Sequence, residues 1–72
     1  NISGINASFV LYPDEDQIVI SARSIGHANV QMILVPLGGG GNAGAAGAQI
    51  TGKTVDEVAA ELTRAIDHYL ET

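Results

Sequence analysis

The sequence predicts an α/β domain, a two-layer sandwich of element order β-β-α-β-α with helices packed on a small mixed sheet. Three observations carry that expectation. Two runs rich in β-branched and aromatic residues, Ala7 to Tyr12 and Gln17 to Ser24, flank a cluster of turn formers. A helix signature closes the chain, with Thr54 and Glu57 spaced as a capping box ahead of an apolar face of helical period. Between them lie a shorter helical pattern and an alternating segment, Ala46, Ala48 and Ile50, that reads as a third strand.

Taken in order, the first two runs form a β-hairpin turning at Pro13-Asp14-Glu15-Asp16. Side chains alternate across a strand, so Ile18, Ile20 and Ala22 share one face, and Val19, Ser21 and Arg23 share the other. Asn29 can cap a helix in which Val30, Ile33, Leu34 and Leu37 fall on one side, with Gly38 as its stop. Pro36 removes a backbone donor there and disfavours helical geometry at Val35, so this helix ends early or tightens. In the last segment Val55, Val58, Ala59, Leu62, Ala65, Ile66, Tyr69 and Leu70 trace the apolar face of a helix of about four turns. Strand order does not follow from these patterns.

A chain of 72 residues holds one domain, here residues 1–72 as a single unit, and buries only about 60% of its unfolded surface. With 46% hydrophobic and 15% charged residues the composition is that of a packed domain, not a disordered one. There is no cysteine, which rules out a disulfide framework and a thiolate metal site. The longest apolar stretch, Met32 to Leu37, is far short of the roughly 20 residues that cross a bilayer, so no direct membrane contact is expected of this segment. No signal-peptide pattern opens the chain, and its start at Asn1 without an initiator methionine reads as an excised piece of a longer protein. Arg23, Lys53 and Arg64 are the only Lys and Arg residues against eight acids, a net charge of -5. That excludes a surface for long nucleic acid, in which each neutralised phosphate needs its own cation.

Two glycine motifs fail their structural context. Gly47 to Thr54 satisfies GxxxxGK[ST], but a phosphate loop follows its strand, whereas here the central residues form the strand. Gly39-x-Gly41-x-x-Gly44 matches a dinucleotide fingerprint, yet it precedes a strand instead of opening a helix after one. His27 and His68 lack metal-ligand spacing and read as solvated. The acids at 14–16 suit a turn, and Asp56, Glu57 and Glu61 suit a helix N-terminus. No catalytic residue and no metal ligand set emerges, so the chain alone should not catalyse. What is left is Gly40, Gly41 and Asn42 beside an arginine, Arg23, at a strand end. From the residues alone two readings stand: an anion pocket of backbone and side-chain donors, or glycines that only permit close packing.

Gly39-Gly40-Gly41-Asn42-x-x-Ala45-Ala46-Gly47 resembles the GGGHxxAAG motif of the DHH-associated C-terminal domain. Ile20-Ser21-Ala22-Arg23-Ser24, followed by Asn29-Val30-Gln31 and the run into Gly38, is similar to the bacterial cyclic di-AMP phosphodiesterases among them. The resemblance implies a DHH catalytic domain as partner in the same parent chain, manganese in that domain with no cofactor in this one, and cyclic di-AMP or a short linear dinucleotide as substrate. It implies hydrolysis by metal-activated water in the parent, and substrate-binding roles here for Arg23, Gly39, Gly40, Gly41 and Asn42. It also implies a parent held to the membrane by N-terminal helices, with this domain on the cytoplasmic face. Position 42 departs from the motif: asparagine keeps a neutral donor and an acceptor but carries no charge. The alternative is a non-catalytic nucleotide- or RNA-end-binding module, since a related domain closes alanyl-tRNA synthetases, but the shortage of basic residues disfavours tRNA.

Overall fold

The computed structural model describes residues 6–72. The elements are β1 (Ala7–Asp14), β2 (Gln17–Ser24), α1 (Val30–Leu34), a 3₁₀ turn (Val35–Leu37), β3 (Gly40–Gly41), β4 (Ala45–Thr51) and α2 (Val55–Leu70). The strands form one sheet in the order β1-β2-β4-β3, with α1 and α2 on one face. The two-layer α/β architecture and the order of the main elements are therefore as the sequence predicts.

Three details differ. First, β1 runs on through Pro13 to Asp14, leaving Glu15 and Asp16 as the loop. Because β1 is an edge strand, the missing proline N–H costs no ladder bond. Second, α1 stops after five residues and the chain tightens into the 3₁₀ turn containing Pro36, ended by Gly38 at φ 83°. This is the early ending that Pro36 predicts. Third, the sheet is antiparallel at every pairing instead of mixed, and contains the short strand β3. The reason lies in lengths: α1 and its 3₁₀ turn together span only eight residues and stop level with the middle of β4. From there Gly40 and Gly41 climb back along β4, so that β4 starts at the end of β2 that the chain has just left.

The core lies between sheet and helices. Ile18, Ile20 and Ala22 of β2 face Val30, Ile33 and Leu34 of α1 and Val58, Leu62 and Ile66 of α2, all buried. The capping box at α2 is present in both directions, Glu57 N–H to the Thr54 hydroxyl and Thr54 N–H to the Glu57 carboxylate. Leu70 and Val55 sit at the edge of the apolar stripe and are exposed. The opposite face of the sheet is covered by no described element, and the candidate site residues gather at one end of it.

Candidate functional site

Register fixes the layout of this open face. Ser8, Arg23 and Ala45 form one row across β1, β2 and β4. Val10, Ser21, Gly47 and Gly40 form the next, and Tyr12, Val19 and Gln49 the one after. Arg23 is exposed and points away from the isoleucine face, as alternation demands. It is the only Lys or Arg on the open face: Lys53 pairs with Glu61 on the helix side, and Arg64 lies on α2. The strand carboxylate on the same face, Asp14, is six residues further along, about 20 Å at roughly 3.3 Å per residue. That exceeds the Debye length of about 8 Å at physiological salt, so Asp14 does little to offset the guanidinium.

Arg23 pairs in register with Ala45, and Ala45 is bonded in turn to Asn42. The Asn42 N–H donates to the Ala45 carbonyl at 2.8 Å, and the Ala45 N–H donates to Asn42 Oδ1 at 2.9 Å. Oδ1 also accepts the Gly44 N–H at 2.9 Å. Asn42 is thus the clasp of the turn between β3 and β4, a role its sequence position alone does not reveal. The turn is fastened from two sides, by Ser24 N–H on the Gly44 carbonyl at 2.9 Å and Val30 N–H on the Ala43 carbonyl at 3.1 Å. Two donors of the turn are left without a hydrogen bond among the described residues: Asn42 Nδ2 and the Ala43 N–H. Ala43 was not singled out from the sequence, because an alanine displays only its backbone.

The glycines divide by what surrounds them. A Cβ on Gly39 would stand 2.5 Å from the Gly47 carbonyl oxygen and 3.0 Å from the Ala48 side chain, so Gly39 is required by packing. Gly41 has φ 144° and abuts the Ala45 carbonyl, which also demands glycine. Gly40 is different: it is exposed, and nothing lies within 4 Å of the position a Cβ would take. Gly38, Gly39, Gly40 and Gly47, with Val19, Ala48 and Gln49, line a shallow depression of about 330 Å³ beside the Arg23 row. The structure therefore brings Arg23, Gly40 and Asn42 to one end of one face, and assigns Gly39 and Gly41 to backbone geometry. Such an arrangement suits an anion: one cation, two unused N–H donors and, in the adjoining row, the paired glycines Gly40 and Gly47.

The remaining motifs have structural explanations. Residues 47–51 belong to β4, Lys53 pairs with Glu61, and Thr54 caps α2, so the GxxxxGK[ST] match is a strand followed by a turn. His27 and His68 are exposed. Among the described residues no three His, Asp or Glu side chains converge to hold a metal ion. No helix among them is long and apolar enough to cross a membrane.

Comparison with known proteins adds a family to this geometry. The DHHA1 domain profile matches residues 1–72. The cyclic-di-AMP phosphodiesterase GdpP of Geobacillus thermodenitrificans (strain NG80-2) is 48% identical over 71 residues, 97% of this chain and 11% of the relative. The protein of the same name from Bacillus subtilis (strain 168) is 44% identical over 72 residues, 99% of this chain and 11% of the relative. The cyclic-di-AMP phosphodiesterase PdeA of Listeria monocytogenes serotype 1/2a (strain 10403S) is 43% identical over 70 residues, 96% of this chain and 11% of the relative. The chain thus spans about a tenth of the length of the curated relatives it matches.

Proposed function

The chain belongs to the DHHA1 domain family, and from that premise we propose that it is the substrate-binding lobe of a phosphodiesterase acting on cyclic di-AMP or a short linear dinucleotide. The observation that carries this reading is the convergence of Arg23, Gly40 and Asn42 at one end of the uncovered sheet face. Arg23 supplies a charge-assisted contact to one phosphate. Asn42 Nδ2 and the Ala43 N–H supply neutral donors from the far side of Ala45, about 10 Å away at roughly 4.8 Å per strand. In their own row the intervening residue is the small Ala45, and Gly40 and Gly47 leave the adjoining row without side chains, so a phosphate can approach the backbone there.

Binding and orientation are what these residues do. Manganese, which the resemblance implies for the parent, finds no ligand set among the described residues of this chain, so no step of the reaction is routed through it here. The reading gives catalysis to a DHH domain elsewhere in a longer protein and leaves the 72 residues inactive by themselves. The expected membrane anchor and cytoplasmic placement likewise concern the parent. The relatives' shared phosphodiesterase name favours this reading over a free-standing RNA-end-binding module.

One pair of variants in the full-length protein tests the site. Arg23→Ala removes a charged hydrogen bond worth about 1.5 to 3 kcal/mol, a rise in KM of roughly 10- to 100-fold. Asn42→Asp keeps the Oδ1 that accepts from both Gly44 and Ala45 but replaces the Nδ2 donor with a second, negatively charged oxygen, so the turn survives while anion binding is lost. Unchanged KM in both folded variants refutes the site.

A further inference from the structure

The turn that carries Asn42 is fastened through a chain of hydrogen bonds that ends on α2. The Tyr69 hydroxyl oxygen accepts the Asn29 N–H at 3.0 Å, joining positions 40 residues apart. Asn29 caps α1 by accepting the Met32 N–H at 3.1 Å on its side-chain oxygen. The next residue, Val30, is fully buried, and its N–H holds the Ala43 carbonyl at 3.1 Å. Ala43 lies between Asn42 and Gly44, so two hydrogen bonds, joined by the Asn29–Val30 peptide bond, run from the last turn of α2 to the donors of the candidate site. Elsewhere α2 meets the sheet through apolar packing, in which Val58, Leu62 and Ile66 take part. Tyr69 differs in using a polar atom at a defined distance, which fixes position more narrowly than apolar contact does.

We propose that Tyr69 is a positioning residue for the anion site: its hydroxyl oxygen sets the start of α1, and through Val30 and Ala43 it holds the Asn42–Ala45 turn in register with Arg23. This rests on the substrate-site reading above and deepens it. The Tyr69 ring packs against the core whether or not the oxygen is present. Tyr69→Phe therefore removes the link while leaving the packing. With the oxygen gone, the part-buried Asn29 N–H loses its acceptor and the segment 28–30 shifts or loosens.

The test compares three variants of the full-length phosphodiesterase with cyclic di-AMP as substrate. Tyr69→Phe is expected to raise KM about three- to tenfold while kcat changes less than about twofold, the pattern of a lost binding geometry. Hydrogen exchange should quicken in peptides covering residues 28–45 and stay at the wild-type rate in β1 and the first half of α2. Ile66→Val trims the buried face of the same helix without touching the hydrogen-bond chain, so it should lower the melting temperature and leave KM alone. A KM shift in Ile66→Val equal to that in Tyr69→Phe overturns the proposal, because general loosening of α2 would then explain both. Tyr69→Phe with unchanged KM, beside an Arg23→Ala variant whose KM rises, overturns the positioning role and leaves the site intact. Unchanged KM in Arg23→Ala overturns the site and this role together.

Discussion

Replacing Gly39 with alanine places a methyl carbon 2.5 Å from the Gly47 carbonyl oxygen, 3.0 Å from the Ala48 side chain and 3.1 Å from the Leu34 side chain. Real Cβ atoms do not approach backbone oxygen that closely, so either β4 or the loop must move. The loop is tied down by the Gly39 N–H on the Leu34 carbonyl at 2.9 Å, and β4 is paired on both sides. Overpacking of this kind costs about 2 to 3 kcal/mol. In a domain of this size that lowers the melting temperature by roughly 10 to 20 °C. Gly40→Ala, one residue on, meets nothing within 4 Å and needs no positive φ. Its effect on stability should be within about 0.5 kcal/mol, or slightly favourable, because alanine narrows the unfolded ensemble. The same methyl, however, rises from the floor of the open face, where it should raise KM in the full-length protein about tenfold, equivalent to about 1.4 kcal/mol. Thermal unfolding of the 72-residue chain followed by circular dichroism, with kinetics of the full-length variants, separates the two effects. Equal losses of stability in both variants, or a Gly40→Ala enzyme with wild-type KM, would refute the division into a packing glycine and a binding glycine.

At α2, Thr54→Ala breaks the capping box and should cost about 1 kcal/mol, read as a lower urea midpoint. The Thr54 N–H, and after it the Thr54 side chain, holds the Glu57 carboxyl below the ordinary glutamate range. A carboxylate with a lowered folded pKa stabilises above its unfolded value near about 4.3, and that contribution is lost as pH falls through the folded pKa. The advantage of wild type over Glu57→Ala should therefore be full at about pH 6 and shrink toward about pH 3; a constant gap in melting temperature refutes the linkage. In the hairpin loop, Glu15 is the only non-glycine residue with positive φ among those described, at 55°. Glu15→Asn, which tolerates that region better, should raise the melting temperature by about 2 to 4 °C, and no rise would mean the loop carries no strain.

The sequence by itself determined the local elements and the chemistry that the site can draw on. The hairpin, the capped helix from Thr54, the early end forced at Pro36 and the outward face of Arg23 all follow from periods of 2.0 and 3.6 and from residues whose backbone preferences are strong. The glycine run with its following asparagine was legible as a motif for the same reason, and it led to the family. Three features were decided only in the folded chain. That the sheet is antiparallel throughout depends on how far α1 and its 3₁₀ turn carry the chain before Gly40, a matter of summed lengths that no local pattern encodes. The two-residue strand β3 was invisible because glycine has little strand propensity and pairs here only because β4 lies beside it. The separate roles of Gly39, Gly40 and Gly41 have no counterpart in sequence, where the three letters are identical. One faces the Gly47 carbonyl, one faces open space and one must take φ 144°. Asn42 shows the same division, its amide chemistry readable from the residue type and its use as the clasp of the turn fixed by where Gly44 and Ala45 present their N–H groups. Residue type sets which interactions a position can make, and tertiary geometry selects among them by bringing particular atoms within bonding distance.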